Sequence, residues 1–165
     1  MALGIGVCLA LAVGLFATGL RLDRDRAFYP TVMIVIAFLY SLFAVMGGST
    51  RALVLELIAG VVFLLAAAFG FRSSLWIVAA ALAAHGIFDS IHSAVISNPG
   101  VPMWWPEFCL AYDVTAAAYL AWLLSGAAIG AGLFTPFGKP WLGASLGMMV
   151  QFLYLGAMVF WHAHT

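Results

Sequence analysis

Charge is what this chain has least of. Six basic and six acidic residues make up 7% of its 165 positions, and the formal net charge is zero. No basic stripe is present to meet nucleic-acid phosphates or an anionic membrane surface, so no nucleic-acid partner is expected. Cysteine is scarce too. Cys8 and Cys109 have neither the CxxC spacing of a redox or zinc site nor the density of a disulfide scaffold. A disulfide between them stays open, beside the plainer reading of apolar thiols. The sequence also contains no Gly-rich phosphate loop, no nucleophile elbow, no internal repeat and no stretch that reads as a soluble domain.

What fills the chain is apolar. Hydrophobic residues account for 66% of it, and the mean hydropathy is +1.15, which places it among polytopic membrane proteins. At about 1.5 Å per helical residue, a hydrocarbon core of about 30 Å takes roughly 20 residues to cross. That ruler predicts an all-α bundle of six transmembrane helices in a single integral membrane domain, over residues 2–20, 27–46, 52–71, 74–96, 109–134 and 141–161. The first span lacks a basic leader region and is followed by the charges of "RLDRDR", so it reads as a retained helix rather than a signal peptide. Arg21, Arg24, Arg26, Arg72 and Lys139 fall in alternate loops, with only Arg51 opposite. The positive-inside rule then puts both termini, and the "SNPGVPMWWPEF" connection, outside.

Several polar residues interrupt the apolar spans, and counting inward from the loops places them in one layer. Glu56 lies about 7.5 Å along its helix from Arg51, while His92, Asp89 and His85 lie roughly 6, 10 and 16 Å inside Ile96. Asp113, seven residues past Pro106, belongs to the same half of the bilayer, as do Tyr40, Glu107, His162 and His164. The opposite half reads as almost wholly apolar apart from its rim of Arg and Lys. A charge at mid-membrane costs about 2.5–3.5 kcal/mol even on lenient insertion scales. Such groups are therefore expected to face one another around an interior pocket.

His85, Asp89 and His92 follow i, i+4, i+7 spacing, which confines them to a stripe about 60° wide on one helix. Asp89-x-x-His92 has the i, i+3 geometry by which a carboxylate and an imidazole can share a metal. A single ion held by His85 or His92, Asp89 and carboxylates from Glu56 or Asp113 is the economical reading. Imidazole with carboxylate suits zinc, iron or manganese, and an open coordination position would activate water. The plain structural alternative is an interhelical hydrogen-bonded pair. Glu56 reads either as a ligand or general base opposite Asp89, or as an acid hydrogen-bonded to a neighbour. Asp113 lies close enough to the surface for capping or loop anchoring to compete with catalysis. His162 and His164 point about 160° apart on a helix and form no joint site, and a bis-histidine haem finds no other support.

The connecting loop carries Pro99, Pro102 and Pro106, which stop helix continuation, and Trp104 and Trp105, which suit the headgroup level. It reads as a rigid cover over the polar layer, with an ordinary aromatic belt as the simpler alternative for the tryptophans. Gly6, Ala10, Gly14 and Thr18 on the first span, and Gly143 and Gly147 on the last, mark close helix packing. Gln151 reads as an interhelical hydrogen bond.

"HGIFDSIH" followed by "NPGVPMWWPEFCLAYD" resembles a group of small bacterial integral membrane proteins. They carry an H-x-x-x-D-x-x-H helix, an N-P-x-V-P loop and an aspartate soon after. The likeness covers about a quarter of the chain, matches His85, Asp89, His92, Asn98, Pro99, Pro102 and Asp113, and implies a bacterial inner (plasma) membrane. A weaker likeness is to the ceramidase-like membrane hydrolases, which hold zinc with three histidines and an aspartate in a seven-helix bundle. This chain is one span short of that pattern, and His162-x-His164 lacks its i, i+4 spacing.

The expected function is that of a membrane enzyme, metal-assisted and hydrolytic or oxidative, acting on a lipid or other apolar small molecule at the outer leaflet. Asp89, Glu56 and Asp113 are its catalytic candidates, and His85, Asp89, His92 and Glu56 its candidate ligands for one divalent ion. A proton-coupled or small-molecule transporter is the rival from another class, against which the apolar inner half argues. A third reading is an accessory subunit docking its polar face on a larger membrane complex.

Overall fold

The computed structural model describes residues 1–126. Over these the chain is helical: α1 (Ala2–Gly19), a short 3₁₀ turn (Leu22–Arg24), α2 (Phe28–Met46), α3 (Thr50–Arg72), α4 (Leu75–Val95) and α5 (Trp105–Leu124). All five α-helices are long and apolar enough to cross a membrane. The expected sixth span, with Lys139, Gly143, Gly147, Gln151, His162 and His164, lies outside the described residues.

Local chemistry sets the helix starts. Ser49 and Ser74 sit in extended conformation at the N-caps of α3 and α4, and each hydroxyl accepts an early backbone N–H, from Ala52 and Trp76 respectively. The start of α5 differs from the hydropathy reading, which began that span at 109. Pro106 does not stop a helix here; it stands in the first turn of one, where its missing N–H costs nothing. The C-terminal end differs as well. α5 stops at Leu124, and Gly126 follows with a φ of +84°, a conformation that suits glycine.

The earlier start re-sorts the tryptophans. Trp105 belongs to α5 and is fully buried, its ring 4.9 Å from that of Phe43 on α2. Only Trp104 keeps the exposed, belt-like position expected of both.

The helices pack in the order α1 on α5, α5 on α4, α4 on α3 and α3 on α2, and α2 also reaches α4. α1 and α5 run side by side through small residues. A side chain on Gly6 would meet the Phe108 carbonyl, and one on Gly14 would sit 2.9 Å from the Tyr119 ring. Arg26 Nε donates to the Phe71 carbonyl at 2.5 Å, joining the 3₁₀ region to the end of α3. Arg21, Arg24, Arg26 and Arg72 therefore mark one face of the bundle, the arginine face. At the other end Gly100 tucks beneath the Phe43 carbonyl at the close of α2, which seats the 96–104 connection on what we term the loop face. Ile58, Val62, Leu65 and Phe69 of α3 are exposed, as lipid-facing positions of a membrane helix would be.

Candidate metal centre

The polar stripe of α4 faces inward, and burial there is nearly complete. Relative exposure is 2% for His85, 0% for Asp89, 1% for His92, 1% for Glu56 and 0% for Asp113. The structure divides these five residues into two groups rather than one.

The first group is His85, Asp89 and Asp113. His85 Nδ1 lies 2.7 Å from Asp113 Oδ2 and 3.3 Å from Asp89 Oδ2, so two carboxylates from different helices converge on one ring nitrogen. One ligand atom from each residue falls within 4.8 Å of the others, a spacing that can hold a metal ion. Both oxygens of Asp89 and Oδ1 of Asp113 are buried without a hydrogen-bond partner. Gly86 favours the convergence. A Cβ there would lie 3.1 Å from the Asp113 Cβ and 3.2 Å from the Leu110 carbonyl, tighter than ordinary contact, so the bare backbone of Gly86 lets α5 approach this closely without adjustment. Gly86→Val is expected to force α4 and α5 apart and break the His85–Asp113 contact. Loss of the ring N–H signal of a hydrogen-bonded His85 in solution NMR checks this, and a signal unchanged from wild type counts against it.

The second group is Glu56, His92, Asn98 and Tyr40. His92 Nε2 lies 2.8 Å from Glu56 Oε1. Asn98 Nδ2 donates to the same oxygen at 2.9 Å and to the Tyr40 carbonyl at 3.0 Å, while Asn98 Oδ1 accepts from Gly100 N. The Tyr40 ring stacks on His92 with centroids 3.9 Å apart and planes at 21°. Its hydroxyl is buried without hydrogen-bond geometry to any described residue, yet it lies within electrostatic reach of Asp89. Tyr40 thus bridges the two groups.

Of the two readings of Glu56, the acid hydrogen-bonded to a neighbour is the one the geometry shows, since it pairs with His92 and accepts from Asn98. Asp113 is no surface cap, because α5 starts at Trp105 and eight residues of helix, about 12 Å, carry it into the interior. Its partner at the centre is His85. Asn98 stood out only through a family resemblance, and Tyr40 only as a member of the polar layer. Gly86 carried no signal, since a glycine within an apolar run has several uses.

The opposite half of the bundle is less apolar than its hydropathy suggests. Thr18 Oγ1 donates to Asp23 Oδ2 at 2.9 Å and lies 2.8 Å from the Tyr119 hydroxyl. Asp23 and Tyr29 are buried beside them. Tyrosine counts as hydrophobic in a window average, and Asp23 reads as a loop charge, so neither registered. The argument from an apolar inner half against transport is correspondingly weaker.

Cys109 is a buried free thiol beside Asp89 and Asp113, and Cys8 is free and exposed; the disulfide alternative is not formed. Comparison with protein-family models, curated proteins and solved structures finds no match for this chain.

Proposed function

We propose that this chain is a membrane-embedded enzyme that holds one divalent metal ion on His85, Asp89 and Asp113 and acts on a lipid or other apolar small molecule. One observation carries the reading: buried carboxylates from two helices converge on one imidazole nitrogen, at 2.7 Å from Asp113 and 3.3 Å from Asp89, and one donor atom from each residue lies within 4.8 Å of the others. The two carboxylates also keep buried oxygens without hydrogen-bond partners, and buried acids in so little polar company are costly unless a cation offsets them. One imidazole and two carboxylates suit zinc, iron or manganese. When bound, such an ion supplies Lewis acidity and lowers the pKa of a coordinated water.

The surrounding residues have separable parts in this scheme. Asp89 and Asp113 supply the negative charge that balances the ion. Glu56 orients His92, whose ring holds Tyr40 by stacking, so that the phenol stays beside Asp89. On the lipid side, Phe63 of α3 meets the His85 ring edge-on at 4.7 Å, and Phe88 of α4 meets His92 at 5.7 Å. Both phenylalanines are only partly buried, which makes the seam between α3 and α4 the natural way in for an apolar substrate.

Elemental analysis of detergent-purified protein tests the reading. About one equivalent of zinc, iron or manganese per chain is expected, as for a site with three protein donors. Content below about a tenth of an equivalent in protein purified without chelator overturns it.

A further inference from the structure

We infer that water reaches the buried centre from the arginine face, through a water site at the junction of α1, α2 and α5. The destination rests on the reading of His85, Asp89 and Asp113 as a reactive centre, whereas the water site stands on its own geometry. A narrow, partly open cavity of about 10 Å³ lies there, lined by Gly14 of α1, Tyr29 of α2, and Tyr112, Ala116 and Tyr119 of α5. That is about the room one water needs, provided two to four polar partners are within reach.

Three tyrosines, Tyr29, Tyr112 and Tyr119, bring polar groups to the lining. The Tyr29 hydroxyl is buried with no hydrogen-bond partner among the described residues, and so is Asp23 Oδ1. Tyr29 interacts electrostatically with Tyr119, Asp23 and Tyr112. Toward the arginine face, Tyr119 continues through Thr18 to Asp23, which belongs to the 3₁₀ turn. Toward the centre, Tyr112 lines the cavity and immediately precedes Asp113 on α5. Hydrogen bonds thus run from the surface turn to Tyr119, and a water in the cavity would join Tyr119 to Tyr29 and Tyr112, the residue next to Asp113 on α5. Small residues keep the cavity open, because Ala10, Gly14 and Ala116 stand where larger side chains would fill it.

The arrangement separates two supplies. An apolar substrate comes sideways between α3 and α4 past Phe63 and Phe88, while water comes lengthwise between α1, α2 and α5. Such a separation suits a hydrolytic or hydration reaction in lipid, where water must arrive without flooding the apolar side.

X-ray radiolytic labelling of the full chain in lipid nanodiscs, in ¹⁸O-water, tests the route, because bound internal water oxidises the side chains it touches. Tyr29, Tyr112 and Phe43 are buried to similar extents, at 5%, 6% and 6% exposure. With a water between the tyrosines they are expected to label about fivefold faster than Phe43 or more. Ala116→Val fills the cavity and should remove that excess, and Ala10→Val repeats the test from α1 should the first variant fail to fold. Cys109, beside Asp89 and Asp113, should lose labelling in the same variants. Equal rates for Tyr29, Tyr112 and Phe43 overturn the water site. Persistence of Cys109 labelling when the tyrosine excess is gone overturns the route to the centre. Labelling needs no ion, so metal content measured on the same sample reads the centre separately from the route.

Discussion

Asp89→Ala is expected to lower bound divalent metal from about one equivalent per chain to about a tenth or less, and to leave the metal-free protein no less stable than wild type. The first half follows from ligand count. Changes to residues that merely support a ligand cost about 10–100-fold in metal affinity, and removal of one of three protein donors costs more. The second half follows from the environment of Asp89, which is fully buried, without a hydrogen bond at Oδ1, and 3.3 Å at Oδ2 from a His85 nitrogen that keeps Asp113 as its closer partner at 2.7 Å. An uncompensated polar group of this kind costs about 1–3 kcal/mol, so without an ion its removal relieves the fold. Elemental analysis and thermal unfolding in detergent, with and without chelator, read both halves. Glu107→Gln is the control, since that acid is exposed in the first turn of α5. Were Asp89 only interhelical glue, the alanine variant would unfold earlier in chelator than wild type does, and that result would sink the metal assignment.

Glu56 carries the second large effect, of a different kind. Glu56→Ala is expected to destabilise the protein by about 3–5 kcal/mol, the usual consequence of removing one partner from a buried charged or strongly hydrogen-bonded pair. Two groups lose their acceptor together, His92 Nε2 and Asn98 Nδ2. Asn98 holds the connection to the end of α2, so the loop face should loosen with it. Glu56→Gln keeps an acceptor oxygen in place and is expected to recover at least half of that stability while retaining metal. Unfolding midpoints in detergent measure the first effect, and elemental analysis the second. Loss of metal in the glutamine variant at undiminished stability would return Glu56 to the ligand set and contradict the division into two groups.

These variants act on a site that hydropathy and spacing outlined only in part. The α4 stripe was legible because a helical period of 3.6 residues fixes which side chains share a face, whatever the helix packs against. His85, Asp89 and His92 therefore fell together from spacing alone. What faces them was not legible. Partner choice across an interface depends on the relative depth and rotation of two helices, and one residue of shift turns a side chain through about 100°. Starting α5 at 109 rather than Trp105 left Asp113 near the surface, and the packing of Gly86 against α5 was invisible without that helix in place. Hydropathy averaging likewise hid Tyr29 and Tyr119, whose rings are apolar although their hydroxyls bond as readily as a serine's.

By itself, the sequence determined a membrane-type chain of apolar helices, the positions of the first four spans to within about two residues, and the shared inward face of His85, Asp89 and His92 on α4. Each of these follows from local properties, namely hydropathy, helical rise and the cost of charge in lipid. Only the tertiary structure decided that His85, Asp89 and Asp113 converge while Glu56 and His92 pair apart, and that a second polar cluster lies toward the arginine face. The reason is geometric. Metal-capable clusters and hydrogen-bond ladders are made between helices, over distances of about 3 Å, and no pattern along a single helix fixes how its neighbours are turned and staggered against it.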